Sequence, residues 1–479
     1  MRRIIALITI VIMVVGLLSG CGQNSQTGQS ESTQPKEKVL KIWSFTNEAK
    51  VFATAFKEKH PDVKIEFTMI PMTEGEYQLK LKSALQSGEG PDVVALESDF
   101  VREFVESDYL VDLSDLLPFA EEVKTYQFTI DIGTDENGVV KAFSYQATPG
   151  LMYYRRSLAK EYFGTDDPVK IQELVADLSK FEEAAKIVKE KSNGNTYMIA
   201  STADLGRVII ENRDKPWIVD SKLVIDPKVE ELFDIAKNFR QNGYEAQATQ
   251  WQESWFAGMN DSLVDAKGNP KQIFAYFLPT WGLSYVLQPN SAPAKGESDG
   301  GKTAGKDTSG DWAAIPGPMP YRWGGTWFGV TKDSENVELA KEFIKFVTLN
   351  EETLKNWALG VYTNEYLKKI DPSVGDELQQ PAGDFVSSQK VVEEIASQFG
   401  DTSAAKFLGG QNPYEVFAEA ARRIDLGGRT KNIQATDFVV QDALWDPLDA
   451  YASGEISKDE ALKRFKEAVK NALPDVDVD

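Results

Sequence analysis

The sequence predicts an α/β protein with more than one lobe, and three observations carry that prediction. Strand-period and helix-period segments alternate from residue 39 onward, as in sheets covered by crossover helices. The chain has 479 residues, well beyond one small core. Its middle, about residues 150–320, changes texture, with aromatic side chains and irregular turns that suggest a second lobe.

The elements follow in order. "VLKIWSF" is a short apolar strand. "NEAKVFATAFKEKH" spaces Phe52, Ala55 and Phe56 helically, with Asn47 as N-cap and His60-Pro61 as the stop. "DVKIEFTMI" alternates Val63, Ile65, Phe67 and Met69 against polar neighbours, which is a strand. "EYQLKLKSALQSG" carries Tyr77, Leu81, Ala84 and Leu85 on one helical face and ends at Gly88. "PDVVALES" is a continuous apolar run of the kind buried in a parallel sheet, and the helix "DFVREFVES" follows it. Farther on, "SENVELAKEFIKFVTL" places Ala340, Phe343, Ile344 and Val347 on one stripe. "SKDEALKRFKEAVKNAL" opens with a Ser457/Glu460 capping box and carries Leu462, Phe465 and Val469.

Composition excludes several function classes. The formal net charge is −22, which repels a phosphate backbone, so nucleic acid is not an expected partner. One Cys rules out an intramolecular disulfide and thiolate zinc sites. The one histidine, His60, reads as a surface residue ending a helix, so Ser-His-Asp and Cys-His machinery have nothing to build on. No cofactor is expected. A carboxylate-only enzyme stays open.

The chain begins "MRRIIALITIVIMVVGLLSGCGQ": two arginines, an apolar run, small residues, then Cys21. Residues 1–20 are read as a secretory signal peptide. "LSGC" resembles the lipobox of bacterial lipoproteins, which implies acylation of Cys21. Residues 21–38, polar and without period, read as the lipidated cysteine and a flexible tether. The expected location is therefore outside the cytoplasm, at the membrane surface.

"GESDGGKT", residues 296–303, matches the phosphate-loop pattern letter by letter. Its surroundings do not match. "LQPNSAPAK" before it is no buried strand, and "AGKDTSGDW" after it has no helical period. Residues 290–310 are expected to be a flexible surface loop.

Several stretches, taken in order, resemble the family 1 extracellular solute-binding proteins of bacterial ABC importers. After the lipobox come "YQLKLKSALQSGEGPDVVALESDFVREFVESDYLVDLSDLL", "GLMYYRRSL", "FAYFLPTWGL", "IPGPMPYRWGGTWFGVTKDSENVELAKEFIKFV" and "LDAYASGEISKDEALKRF". The resemblance spans nearly the whole mature chain. It departs from the maltodextrin-binding pattern in the 290–310 loop, in a longer stretch at 374–435, and in the aromatic positions of the maltodextrin site. It implies a type II periplasmic-binding-protein-like fold: two α/β lobes joined by two or three crossing strands, with the ligand in the cleft between them. The first lobe is expected at 39–147 plus about 325–375, the second at 148–324 plus about 376–479.

Loops at the carboxyl ends of strands line such clefts. That placement points to Trp43, Ser44 and Asn47, and to Glu97, Ser98 and Asp99. Carboxylates and amides suit sugar hydroxyls, and indole faces suit a pyranose C–H face, which adds Trp281 and Trp323. Gln146 and Gly325, beside the crossovers, complete the ligand-binding set. Trp357, at helical spacing from Thr353 and Leu354, reads as core. Arg155 and Arg156 read as surface or hinge residues. The implied function is capture of a carbohydrate, an oligosaccharide, by hinge closure and delivery to a membrane permease by a monomeric protein. The alternatives are a polyamine or sugar-phosphate ligand, or a secreted carboxylate-dependent glycosidase.

Overall fold

The computed structural model describes residues 38–295, 303–424 and 432–479. The signal peptide, Cys21 and nearly all of the tether lie outside the described residues, as do residues 296–302 of the phosphate-loop look-alike. Its last residue, Thr303, sits in a two-residue strand, Thr303–Ala304, paired antiparallel with Ala294–Lys295.

Four strands come first: β1 (Lys38–Ser44), β2 (Val63–Met69), β3 (Val93–Glu97) and β4 (Phe143–Ser144). The chain crosses over and forms β5 (Gly150–Arg155), β6 (Thr196–Ile199), β7 (Gln272–Pro279) and β8 (Trp312–Ile315), then returns as β9 (Thr326–Val330). Two sheets result, ordered β2-β1-β3-β9-β4 and β8-β5-β7-β6.

In the first sheet β1 pairs parallel with β2 and β3, as the alternating pattern predicts. The return strand β9 pairs antiparallel with β3, Thr326 opposite Glu97 and Val330 opposite Val93. The second sheet is mostly antiparallel, with only β6 parallel to its neighbour. The expected parallel sheet is thus two mixed sheets. In the first sheet the return strand β9 supplies the antiparallel pairings, to β3 and to β4.

The sequence-predicted helices form at Glu48–Phe56, Glu76–Ser87, Val101–Val105, Val337–Thr348 and Lys458–Ala472. Asn47 precedes the first without a side-chain cap bond. Gly88 ends the second at φ +72°, a left-handed conformation that glycine adopts freely. Ser457 caps the last by accepting from the Glu460 amide at 3.2 Å, and Ala461 rather than Leu462 joins Phe465 and Val469 in its buried face.

Three segments cross between the sheets and hydrogen-bond to one another. The Gly150 amide donates to the Tyr321 carbonyl (2.7 Å) and the Trp323 amide to Thr148 (3.1 Å). Ala147 and Ser387 donate to the carbonyls of Phe385 and Tyr145, both at 2.9 Å. Residues 387–389 also bond to 124–126, and the helix Gln389–Ile395 packs on Glu351–Ala358, so contacts with the first lobe's helices continue past residue 375. The helices Pro413–Arg423 and Asp437–Ala452 pack with the second lobe. Lys38–Asp479 forms one compact unit that holds both sheets and the core.

Two sequence expectations change. Arg155, expected at the surface or hinge, is fully buried in the central strand β5, where Asp261 (2.8 Å) and Asp311 (2.8 Å) neutralise it. His60 is half-buried, its ring stacked on Phe56 at 4.0 Å. Trp357 is core, stacked on Phe52 with centroids 3.9 Å apart.

Candidate functional site

A cleft of about 1400 Å³ opens at the carboxyl ends of β1 and β3, facing the second lobe. Seven of the sequence-predicted residues line it: Asn47, Glu97, Asp99, Gln146, Trp281, Trp323 and Gly325. Trp43, Ser98 and the fully buried Ser44 are not brought in. Trp43 packs half-buried against the core. Ser98 is buried beside the cleft, where its hydroxyl accepts from Arg322 at 2.8 Å. Both residues follow apolar runs whose neighbours set their direction, which residue identity does not reveal.

The crossing segments fix the floor. The Gln146 side-chain carbonyl accepts from the Thr326 amide (3.1 Å), and its amide group donates to Asp384 (3.3 Å). Asp384 also accepts from the Trp357 indole at 2.7 Å. Burial, helped by the charge of Glu48, pushes the Asp384 carboxyl up to about 7. Gly324 and Gly325 adopt φ +76° and +116°; a Cβ would stand 2.8 Å from the Trp281 ring nitrogen at the first and 2.9 Å from Trp327 at the second. Only glycine lets the backbone pass this close under the indole.

On the first lobe, Glu97 ends β3 and accepts from the Asp99 amide at 2.6 Å. Burial raises its carboxyl above the ordinary range, Asp99 raises it further, and Arg207 and Arg322 offset only part. Glu48 accepts from the Tyr145 hydroxyl (2.9 Å) and Thr46 (3.0 Å), and burial raises it too. A carboxyl whose burial favours the protonated form can donate as well as accept, which suits a ligand made of hydroxyl groups.

On the second lobe stands an aromatic wall. The Trp281 indole donates to the Trp323 carbonyl at 3.0 Å, and the two rings meet edge to face at 5.8 Å. Trp323 is only 6% exposed: Trp251 abuts it at 5.7 Å and the Arg207 guanidinium lies 4.5 Å over its ring. The tryptophan with most open face is Trp251, 46% exposed, which the sequence reading passed over. It sits at φ +67° on a loop where Gln247 is also left-handed, φ +56°, and both line the cleft. Non-glycine residues hold such angles only where surroundings impose them. Here Asp204 ties the loop, accepting from Gln250 (2.8 Å) and the Trp255 indole (3.2 Å).

Tyr285 and Phe438 were missed as well, and both are about half exposed in the cleft. Tyr285 follows Trp281 by four residues, a spacing that puts both on one helical side; the segment Thr280–Asn290 is helical, with a widened turn at Leu283–Leu287. Arg207 carried a signal too, as the one cation of the otherwise apolar "LGRVII".

Two mixed α/β sheets, three crossing segments and a deep cleft between the lobes define a two-lobe binding protein. The chain belongs to the bacterial extracellular solute-binding protein family, whose model matches residues 52–364. A curated relative, the arabinooligosaccharide-binding protein of Bacillus subtilis (strain 168), is 22% identical over 432 residues, 82% of this chain and 89% of its own. Among solved structures, an extracellular solute-binding protein of family 1 superposes with a TM-score of 0.71 at 17% identity, covering 91% of this chain and 99% of its own. The sugar-binding protein MalE of Xanthomonas citri gives 0.64 at 15% identity, with 91% and 98% covered. The family places the protein outside the cytoplasm, and no helix among the described residues is long and apolar enough to cross a membrane.

Proposed function

We propose that this protein captures an oligosaccharide in the interlobe cleft, closes around it, and hands it to the permease of an ABC importer. The observation that carries this reading is the cleft's chemistry. Of the large apolar side chains exposed among the described residues, Met72, Trp251, Tyr285 and Phe438 gather in this one cleft, beside the carboxyls of Glu48 and Glu97 and side-chain amides. Flat apolar faces next to hydroxyl-matching groups complement a sugar ring on both its surfaces. The Bacillus relative binds arabinooligosaccharide by name, and MalE is a sugar-binding protein, which supports the same class.

The alternatives fit less well. Six carboxyl groups and two guanidiniums line the cleft, and Arg240 is already paired with Asp449, so a sugar phosphate meets no net positive field. A polyamine would be attracted, but the aromatic wall then has less to do. A glycosidase needs two carboxyls on opposite sides of the scissile bond. Glu97, with its raised carboxyl, and Asp99 stand on one strand end, joined by an amide contact, and share a side.

The anchor is the acylated Cys21, and the folded body works as a monomer on its tether. The first lobe comprises 39–147 with the return strand and its helices, the second most of the remainder.

Mass spectrometry of solute retained by gently purified protein, followed by calorimetric titration with arabinooligosaccharides, tests the ligand class. Retained oligosaccharide released unchanged supports it; retained spermidine-like amines with no sugar binding reject it. Fractionation tests the anchor: Cys21→Ser leaves the membrane or stays as uncleaved precursor, and wild-type behaviour rejects lipidation.

A further inference from the structure

Two opposite charges, one from each lobe, line the same cleft with no ion pair between them. Arg207 projects from the helix Thr202–Glu211, which packs on the second sheet; Asp99 follows β3 of the first. Both line the cleft and the narrow recess beside it. Among the described residues, no carboxylate lies within ion-pair distance of Arg207, and no donor hydrogen-bonds to the Asp99 carboxylate.

Their neighbours are engaged. Arg322 meets Glu211 at 3.3 Å and Ser98 at 2.8 Å, and Arg213 is bonded to Asp437. Arg240, the cleft's other guanidinium, is held by Glu245 and Asp449. Arg207 lies over the Trp323 ring, and its charge acts on Glu97 without an ion pair to it. A half-buried cation left over a ring face, opposite a half-buried anion on the other lobe, is an interaction waiting for a shorter distance. An anionic ligand is the rival occupant for Arg207, but the surrounding carboxylates oppose it.

We propose that Arg207 and Asp99 form a closing pair, brought into contact when the lobes shut and thereby favouring the closed, ligand-holding form. The inference rests on the hinge-closure reading above. Closure moves both groups out of water and shortens their separation, so each raises the population of the form that holds solute. Arg207 acts here as a positioning residue, through the lobes and not through the ligand.

The test uses the Lys38–Asp479 body, wild type and the variants Arg207→Gln, Asp99→Asn, their double, and Arg207→Lys. Affinity is measured with a linear arabinooligosaccharide, and the ligand-free radius of gyration by small-angle scattering at about 10 mM and about 1 M salt. The pair predicts that each single neutral variant weakens binding about tenfold and that the double is no worse than the weaker single. Arg207→Lys keeps most of the affinity. Ligand-free wild type is more compact at low salt, and both neutral variants lose that dependence. Additive losses, or a radius indifferent to salt in wild type, overturn the proposal. So does a loss on Arg207→Gln confined to uronate-containing oligosaccharides, which gives Arg207 to the ligand. If wild type binds no oligosaccharide, the carbohydrate reading fails, and the salt response of the radius alone decides the pair.

Discussion

Two aromatic clusters, one around Trp357 and one around Trp251, are built from the same chemistry and put to opposite use. In the first lobe, Trp357 lies under Phe52 and edge-on to Tyr145 (5.2 Å), fully buried, its N–H spent on Asp384. In the second, Trp251, Trp281 and Trp323 pack edge to face in a row that ends at the cleft with nearly half of Trp251 in the open. The first cluster has every face covered and can only stabilise. The second keeps a face uncovered, at the cost of two left-handed non-glycine residues in the loop that holds it. Function shows as the surface that packing leaves unused.

The largest effect expected is on the covered cluster. Trp357→Ala opens a cavity and strips Asp384 of a donor, so unfolding by denaturant should come about 3–5 kcal/mol sooner. A loss below about 1 kcal/mol would mean that the two clusters are not different in kind. At the open cluster the balance reverses. Trp251→Ala should leave the melting temperature of the empty protein nearly unchanged and weaken sugar binding by about 1–3 kcal/mol, roughly ten- to a hundred-fold. Trp323→Ala, buried under Arg207 and Trp251, should cost both stability and affinity. Equal melting temperatures for the Trp251 and Trp323 variants would erase the distinction drawn from their exposure.

A smaller effect sharpens the link between floor and core. Asp384 titrates at about 7 in the fold against 3.8 ordinarily, so between these values the folded state holds a proton that the unfolded chain has lost. Its contribution is complete below 3.8 and is lost as pH rises through about 7. Denaturation midpoints recorded across that range should show the decline, and Asp384→Asn should flatten it; an unchanged slope refutes the assignment. Least of all, Ser457→Ala removes a helix cap that does not line the cleft, with about 1 kcal/mol lost from stability and none from affinity.

Much of the first sheet was legible in the sequence because its strands are continuous apolar runs and its helices carry single stripes. The mixed pairing of the second sheet was not, since a strand's residues report burial and not the direction of its neighbour. At the site, Glu97, Asp99 and Asn47 could be placed because strand ends point into clefts. Trp251 could not: it lies in the polar run "QATQWQ", where nothing in the periodicity says that a lone aromatic ring has a packed edge and an open face. Trp43 shows the converse, a tryptophan at a strand end that turns to the core.

The antiparallel seam between β3 and β9 also dictates an order of assembly. The whole second sheet, from Gly150 to Ile315, is synthesised between the two halves of that seam. Until Thr326 emerges, β3 offers its bare edge to solvent, a template for any stray strand, while the strands of the later sheet are already all present. A chain interrupted just short of Thr326 therefore carries its unfinished sheet at the end that was made first.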